Sequence, residues 1–81
     1  MTLHLRANLA FQAAPWPLAD GRPSLICIHG SGNDHSLWEA QLTGLPERCN
    51  VVAVDLPGHG ASPGPALEAV AGLARTMNGF L

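Results

Sequence analysis

The run Ser24-Leu25-Ile26-Cys27-Ile28-His29-Gly30-Ser31-Gly32-Asn33-Asp34 decides how this chain of 81 residues is organised. It opens as an uncharged apolar segment, which is typical of a strand buried on both faces of a parallel sheet. Gly30 and Gly32 then break the strand into a loop whose backbone can approach a ligand closely. A strand, a glycine turn and a helix start in this order form a place where backbone N–H groups can point at negative charge, and the charge could be on a phosphate, on a reaction intermediate or absent.

A second buried-strand pattern, Asn50 to Leu56, follows one helical segment later. The helix between the two strands is indicated by Trp38, Leu42 and Leu45, which share one helical face. Its start and stop signals are Asp34 or Ser36 as N-cap, Glu39 as capping-box partner of Ser36, and Gly44 or Pro46 at the end. The residues from 25 to 55 therefore predict a β-α-β unit with parallel strands.

The two ends of the chain carry weaker patterns. Period-two alternation over Met1 to Phe11 predicts a strand or a two-stranded ribbon, followed by a proline- and glycine-rich turn. Beyond residue 65, apolar positions at helical spacing predict a covered helix face through Leu67, Val70, Ala74, Met77 and Leu81. The chain thus divides into an N-terminal strand region (1–23), a β-α-β unit with its loops (24–65) and a helix (66–81). Both buried-type strands would have an unpaired edge unless further strands flank them, so we expect the front part of a doubly wound α/β domain, incomplete on its own.

Composition excludes several classes of function. Four arginines, no lysine and six acidic residues give a formal charge of −2, with no basic patch for nucleic acid and no polybasic membrane patch. The N-terminal apolar segment is too broken for a secretory signal, so a cytoplasmic location is expected. Cys27 and Cys49 have no metal-ligand spacing, and a disulfide between them stays open as a possibility. Open sheet edges predict a tendency to self-associate.

Two kinds of anion site fit the glycine loop. A dinucleotide site is suggested by Gly30-x-Gly32 after a strand, with Asp55 at the end of the next strand, but His35 stands where Gly or Ala should allow close packing. The other reading is an oxyanion loop, in which backbone N–H groups stabilise the negative oxygen of an acyl-transfer intermediate.

The segment Leu25-Ile26-Cys27-Ile28-His29-Gly30-Ser31-Gly32, with Trp38 after it and Asp55-Leu56-Pro57-Gly58-His59-Gly60-Ala61-Ser62 further on, resembles the N-terminal third of an α/β-hydrolase-fold protein. The resemblance implies that the backbone N–H of Ser31 is one oxyanion donor. It also implies that the loops are shaped by His29, Gly30, Gly32, Asp55, Gly58, His59 and Gly60. His29 is expected to orient its loop, Asp55 to accept hydrogen bonds from the loop after it, and Trp38 to border a pocket. Ser62 is expected to cap the following helix.

In this fold the nucleophile precedes the acid and the base in chain order, and all three are expected beyond these residues. We therefore expect no nucleophile, no metal and no cofactor in the chain. The parent activity implied by the resemblance is esterase-like hydrolysis of an ester, amide or related bond in a small-molecule substrate, with the 81-residue chain itself inactive. Two alternatives stay open: a nucleotide-binding βαβ module, and a non-catalytic truncated or interaction protein.

Overall fold

A computed structural model describes residues 3–30, 32–64 and 70–81 of the chain. Its four strands form one mixed sheet in the order β1-β2-β4-β3. The strands are β1 (His4–Arg6), β2 (Leu9–Ala14), β3 (Ser24–Ile28) and β4 (Asn50–Val54). The helices are α1 (Glu39–Gly44), which a 3₁₀ turn over His35–Trp38 precedes, and α2 (Val70–Phe80).

The predicted N-terminal ribbon is a hairpin. β1 and β2 are antiparallel, and Ala7 and Asn8 form the connecting turn with positive φ values of 50° and 63°. β2 then pairs in antiparallel fashion with β4, in a register that places Phe11 opposite Val54. The hairpin thereby extends the β-α-β unit instead of standing apart from it.

The predicted parallel pair is present, with Ser24 opposite Asn50 and Ile28 opposite Val54. These two strands were expected to have unpaired edges unless further strands flank them, and for β4 the N-terminal hairpin is such a flanking element. Among the described strands β3 stands at one end of the sheet. Its Leu25 and Ile28 are 42% and 46% exposed, so the expected burial of this run on both faces holds only in part.

Side chains of β4 alternate between two apolar clusters, one on each face of the sheet. Val51 and Ala53 pack with Leu42 of α1, and Val52 and Val54 pack with Met77 and Phe80 near the end of α2. A continuous apolar run on β4 thus reflects helices on opposite faces. This α/β arrangement places the carboxyl ends of β3 and β4 side by side.

The helices differ from the prediction in detail. The 3₁₀ turn has Asp34 as its N-cap, whose side chain accepts the N–H of Ser36, so Asp34 and not the Ser36–Glu39 capping box starts this segment. In α2 Met77 and Phe80 are buried, whereas Ala74 and Leu81 are exposed, so the predicted face was misaligned at those two positions. Residues 65–69, which include Leu67, lie outside the described part.

Candidate functional site

Two loops meet at the carboxyl edge of the parallel pair. The first loop, residues 29–34, follows β3, and the second loop, residues 55–62, follows β4. Because parallel strands end at the same edge of a sheet, neighbouring strands bring their following loops together, which is where open α/β sheets place their sites. Ser31, whose backbone N–H is the predicted oxyanion donor, lies outside the described residues.

His29 and His59 each bridge the two loops. Nε2 of His29 accepts the N–H of Leu56 at 2.9 Å, and Nε2 of His59 accepts the N–H of Gly32 at 3.1 Å. Each ring uses Nδ1 within its own loop, where His29 contacts the Gly30 carbonyl oxygen at 2.6 Å and His59 contacts that of Pro57 at 3.0 Å. The two ring centroids lie 5.1 Å apart. Both ring nitrogens of His29 are therefore engaged by the backbone of the two loops.

Asp55 is the fully buried centre of the second loop, with 0% of its surface exposed. Its carboxylate accepts the N–H of Ala61 at 2.9 Å, which is the expected bond from the loop that follows. It also accepts two hydrogen bonds from His35, one from the backbone N–H at 2.6 Å and one from Nδ1 at 2.8 Å. Sequence reasoning missed this partner, because nothing in a spacing of 20 residues marks His35 as the donor.

Gly60 lies against this carboxylate. Its φ is +50°, and a Cβ built on it would approach Oδ1 of Asp55 to 2.6 Å, closer than real Cβ contacts come. Gly58 also has a positive φ, of 72°. These two positions explain why the second loop has glycine on both sides of His59. Gly58 needs a left-handed backbone, and Gly60 needs a left-handed backbone and the absence of a Cβ.

Ser62 ties the end of the second loop back to the sheet. Its Oγ accepts the N–H of Ala10 at 2.9 Å and donates to the Asp55 carbonyl oxygen. Asp55 donates its own N–H to the Ala10 carbonyl at 2.9 Å, so the hydroxyl replaces one of the two bonds with which this antiparallel pair would otherwise continue the ladder. The expected helix-capping role of Ser62 was wrong, since this hydroxyl is bound to β2 and to the residue after β4.

Sequence reasoning also missed that Gly60-Ala61-Ser62-Pro63-Gly64 has the letters G-x-S-x-G, the pattern of a nucleophile elbow. An elbow places its serine on a sharp turn directly after a strand, with the hydroxyl exposed. Here β4 ends at Val54, Ser62 is only 7% exposed, and its hydroxyl has a donor and an acceptor partner. The structure therefore does not place Ser62 as a nucleophile.

Trp38, expected to border a pocket, packs against the apolar cluster under α1. Its indole Nε1 is buried and has no hydrogen-bond partner among the described residues. Cys27 and Cys49 are free thiols, so the disulfide left open by the sequence does not form. Burial raises the pKa of the Cys27 thiol, and the nearby Cys49 raises it further.

Asp34, His35 and Asp55 bring possible metal-ligand atoms within 4.8 Å of one another. These atoms already have partners: the His35 ring binds the Asp55 carboxylate, and Asp34 accepts hydrogen bonds from the hydroxyl and the N–H of Ser36. The bonds from Ser36 lower the pKa of Asp34, the side-chain bond contributing most. A cation here would have to replace an existing hydrogen-bond network.

Comparison with known proteins identifies the family. The family model described as "Alpha/beta hydrolase family" matches residues 25–81, which include both loops. The chain belongs to the alpha/beta hydrolase family. The match covers β3, β4 and α2, and the N-terminal hairpin precedes it.

Similarity to individual curated proteins and solved structures extends along most of the chain. An uncharacterized protein of Mycobacterium tuberculosis is 33% identical over 81 residues, which is 99% of this chain and 24% of that protein. A pimeloyl-[acyl-carrier protein] methyl ester esterase of Methylococcus capsulatus is 43% identical over 53 residues, covering 62% of this chain and 21% of the esterase. The crystal structure of a membrane phospholipase A, titled a bacterial virulence factor, superposes with a TM-score of 0.82 at 32% identity, over 98% of this chain and 26% of the phospholipase. This chain spans about a quarter of the length of the curated relatives it matches.

No helix in the described ranges 3–30, 32–64 and 70–81 is long and apolar enough to cross a membrane.

Proposed function

We propose that this chain supplies the oxyanion-binding loop of a hydrolase that cleaves esters or related acyl bonds in small-molecule substrates. The observation that carries the proposal is the cross-bonding of the first and second loops at the carboxyl edge of the parallel strands. Oxyanion stabilisation requires N–H donors that are held in place before the charge develops, and a loop fixed by hydrogen bonds meets that requirement.

Within this proposal the donor is the backbone N–H of Ser31. The next two N–H groups along the loop have partners in the protein, since Gly32 donates to His59 and Asn33 donates to the Gly30 carbonyl at 3.1 Å. The Ser31 hydroxyl is not needed, because the charge would be met by the main chain. The nucleophile, the acid and the base would be supplied by other parts of a complete hydrolase, and no cofactor would be required.

The structure gives less support to the nucleotide-binding alternative. A dinucleotide site uses an acidic side chain at the end of the second strand to bind ribose hydroxyls. Here that residue would be Asp55, whose carboxylate is fully buried and bonded to His35 and Ala61.

A chimeric enzyme tests the proposal. The matching segment of an active alpha/beta hydrolase, such as the methyl ester esterase, is replaced by residues 25–81 of this chain, and hydrolysis of p-nitrophenyl butyrate is measured. The chimera is expected to be active. Ser31→Pro, which removes the N–H, is expected to lower kcat by about 100-fold or more with little change in KM, as loss of an oxyanion donor does.

Ser31→Ala is the matched control, because it removes the hydroxyl and keeps the N–H. It should retain activity within about threefold. A folded but inactive chimera would contradict the proposal, and so would a Ser31→Ala variant as impaired as Ser31→Pro, which would assign the role to the side chain.

A further inference from the structure

We propose that His29 and His59 form a reciprocal clamp, in which each ring, as its neutral Nδ1–H tautomer, holds the backbone of the opposite loop. His59 is thereby a positioning residue for the first loop. The clamp is a property of this chain, and its bearing on catalysis rests on the proposed function.

The hydrogen-bond pattern fixes the tautomer of both rings. A backbone N–H can only donate, so Nε2 of His29 must accept from Leu56 and Nε2 of His59 must accept from Gly32. The partners of both Nδ1 atoms are carbonyl oxygens, which can only accept, so both Nδ1 atoms must carry the proton. Which nitrogen of a neutral imidazole is protonated is set by such partners.

The two bridges are reciprocal in sequence as well as in space. Each joins residues 27 positions apart, one from the first loop to the second and one from the second to the first. The rings lie against each other with centroids 5.1 Å apart and planes tilted by 53°. His29 is 3% exposed, so the backbone bond that it accepts is shielded from water.

The clamp acts next to the predicted oxyanion donor. Gly32 is the covalent neighbour of Ser31. Its φ of 85° lies in the left-handed region, and the hydrogen bond from its N–H to His59 holds the backbone at this point. Removing the acceptor at residue 59 would leave the Gly32 N–H without its partner and release the loop at that point. Misplacement of a donor by a fraction of an ångström weakens oxyanion stabilisation, because the geometry is set before reaction.

Nuclear magnetic resonance of the ¹⁵N-labelled 81-residue chain tests the clamp directly. In spectra recorded at about pH 8, long-range ¹⁵N–¹H correlations are expected to show the Nδ1–H tautomer for both His29 and His59. His4, whose ring stacks on Trp16 at 4.0 Å, serves as a comparison in the same spectrum. An Nε2–H tautomer at His59 would overturn the proposal.

Amide hydrogen exchange of two variants gives the second measurement. His59→Phe removes the acceptor and should speed exchange of the Gly32 N–H by about tenfold or more, whereas the Oε1 of His59→Gln can accept and should restore part of the protection. The Val52 N–H in β4 reports whether the sheet is intact. Unchanged Gly32 exchange in a folded His59→Phe variant would refute the clamp, and if that variant unfolds, the tautomer of the unmodified chain decides.

The catalytic consequence is measured in the chimera described above. His59→Phe is expected to lower kcat by about tenfold with KM within about twofold, and His59→Gln to recover part of the loss. An inactive chimera together with Nδ1–H tautomers would refute the proposed function and leave the clamp standing. An active chimera with kcat unaffected by His59→Phe would refute the positioning role.

Discussion

Replacing Ser62 with alanine tests whether the second loop is tied to the sheet as the structure shows. The change removes one hydroxyl that accepts the Ala10 N–H and donates to the Asp55 carbonyl. Ala10 is 1% exposed and Asp55 0%, so water cannot replace the lost partner. A buried donor left without a partner costs about 1–3 kcal/mol. We therefore expect the free energy of unfolding to fall by about 2 kcal/mol, less if β2 and β4 move together and bond directly.

Urea unfolding of the 81-residue chain, followed by circular dichroism, measures this loss. Thr43→Ala is the matched control: its hydroxyl is exposed and, among the described residues, bonds to the Glu39 and Ala40 carbonyls, so a change within about 0.5 kcal/mol is expected. Exchange of the Ala10 N–H should also accelerate in Ser62→Ala. A loss below about 0.5 kcal/mol with unchanged Ala10 exchange would refute the reasoning.

Three further predictions use the same chain. Gly60→Ala places a Cβ against the buried Asp55 carboxylate at a positive φ, so the free energy of unfolding should fall by about 1–3 kcal/mol. Gly44→Ala is the control, because a Cβ at Gly44 has no described atom within 4 Å, and its free energy of unfolding should not fall. Equal losses in the two variants would contradict the geometry. Trp38→Phe removes a buried donor that has no partner in the described structure, which offsets the lost packing and should leave stability within about 1 kcal/mol; a larger loss would mean that the indole N–H is bonded. With a thiol reagent at about pH 8, Cys49 should react at least about tenfold faster than Cys27, because Cys27 is buried and burial raises its pKa. Cys49→Ser should remove the fast phase of the reaction. A fast phase that survives this substitution would contradict the assignment.

The fold could be predicted from the sequence where only one arrangement of secondary structure satisfies the pattern of apolar residues. The run from Val51 to Val54 is apolar on both faces of the strand, and a strand between two layers satisfies this pattern. The same argument was incomplete for β3, where Leu25 and Ile28 stay exposed among the described residues. An apolar run indicates that both faces of a strand are buried, but it does not indicate which element covers each face.

The strand that pairs with the free edge of β4 could not be identified from the sequence for a related reason. Alternation in the first residues indicated a ribbon but gave no register against a later strand. That register is set by contacts such as Phe11 opposite Val54, which are separated by most of the chain. Pairing at long range depends on the joint burial of both partners, and periodicity within one segment does not contain that information.

The loops that form the candidate site could be predicted from the sequence, but most of the hydrogen bonds between their residues could not. The glycines, Asp55 and both motif histidines were expected to shape the loops, and Asp55 does accept from Ala61. His35 carried no motif, yet it supplies two of the bonds to that carboxylate. Ser62 was assigned to a helix cap because local rules favour serine before a helix. In the structure its hydroxyl instead accepts the buried N–H of Ala10 on β2.

The hydrogen bonds between the loops give a physical reason why the two motifs occur together in one chain. Without the second loop, the Gly32 N–H would lack its acceptor, and Nε2 of the buried His29 would lack the donor from Leu56. Because His29 is buried, its Nε2 without a donor would cost about 1–3 kcal/mol, a large share of the stability of a small domain, whereas the exposed Gly32 N–H could bond to water instead. The buried bond between His29 and the Leu56 N–H therefore couples the conformation of the first loop to the second loop. The specificity of the sequence signature lies in the pair, because each motif supplies the hydrogen-bond partners that the other requires.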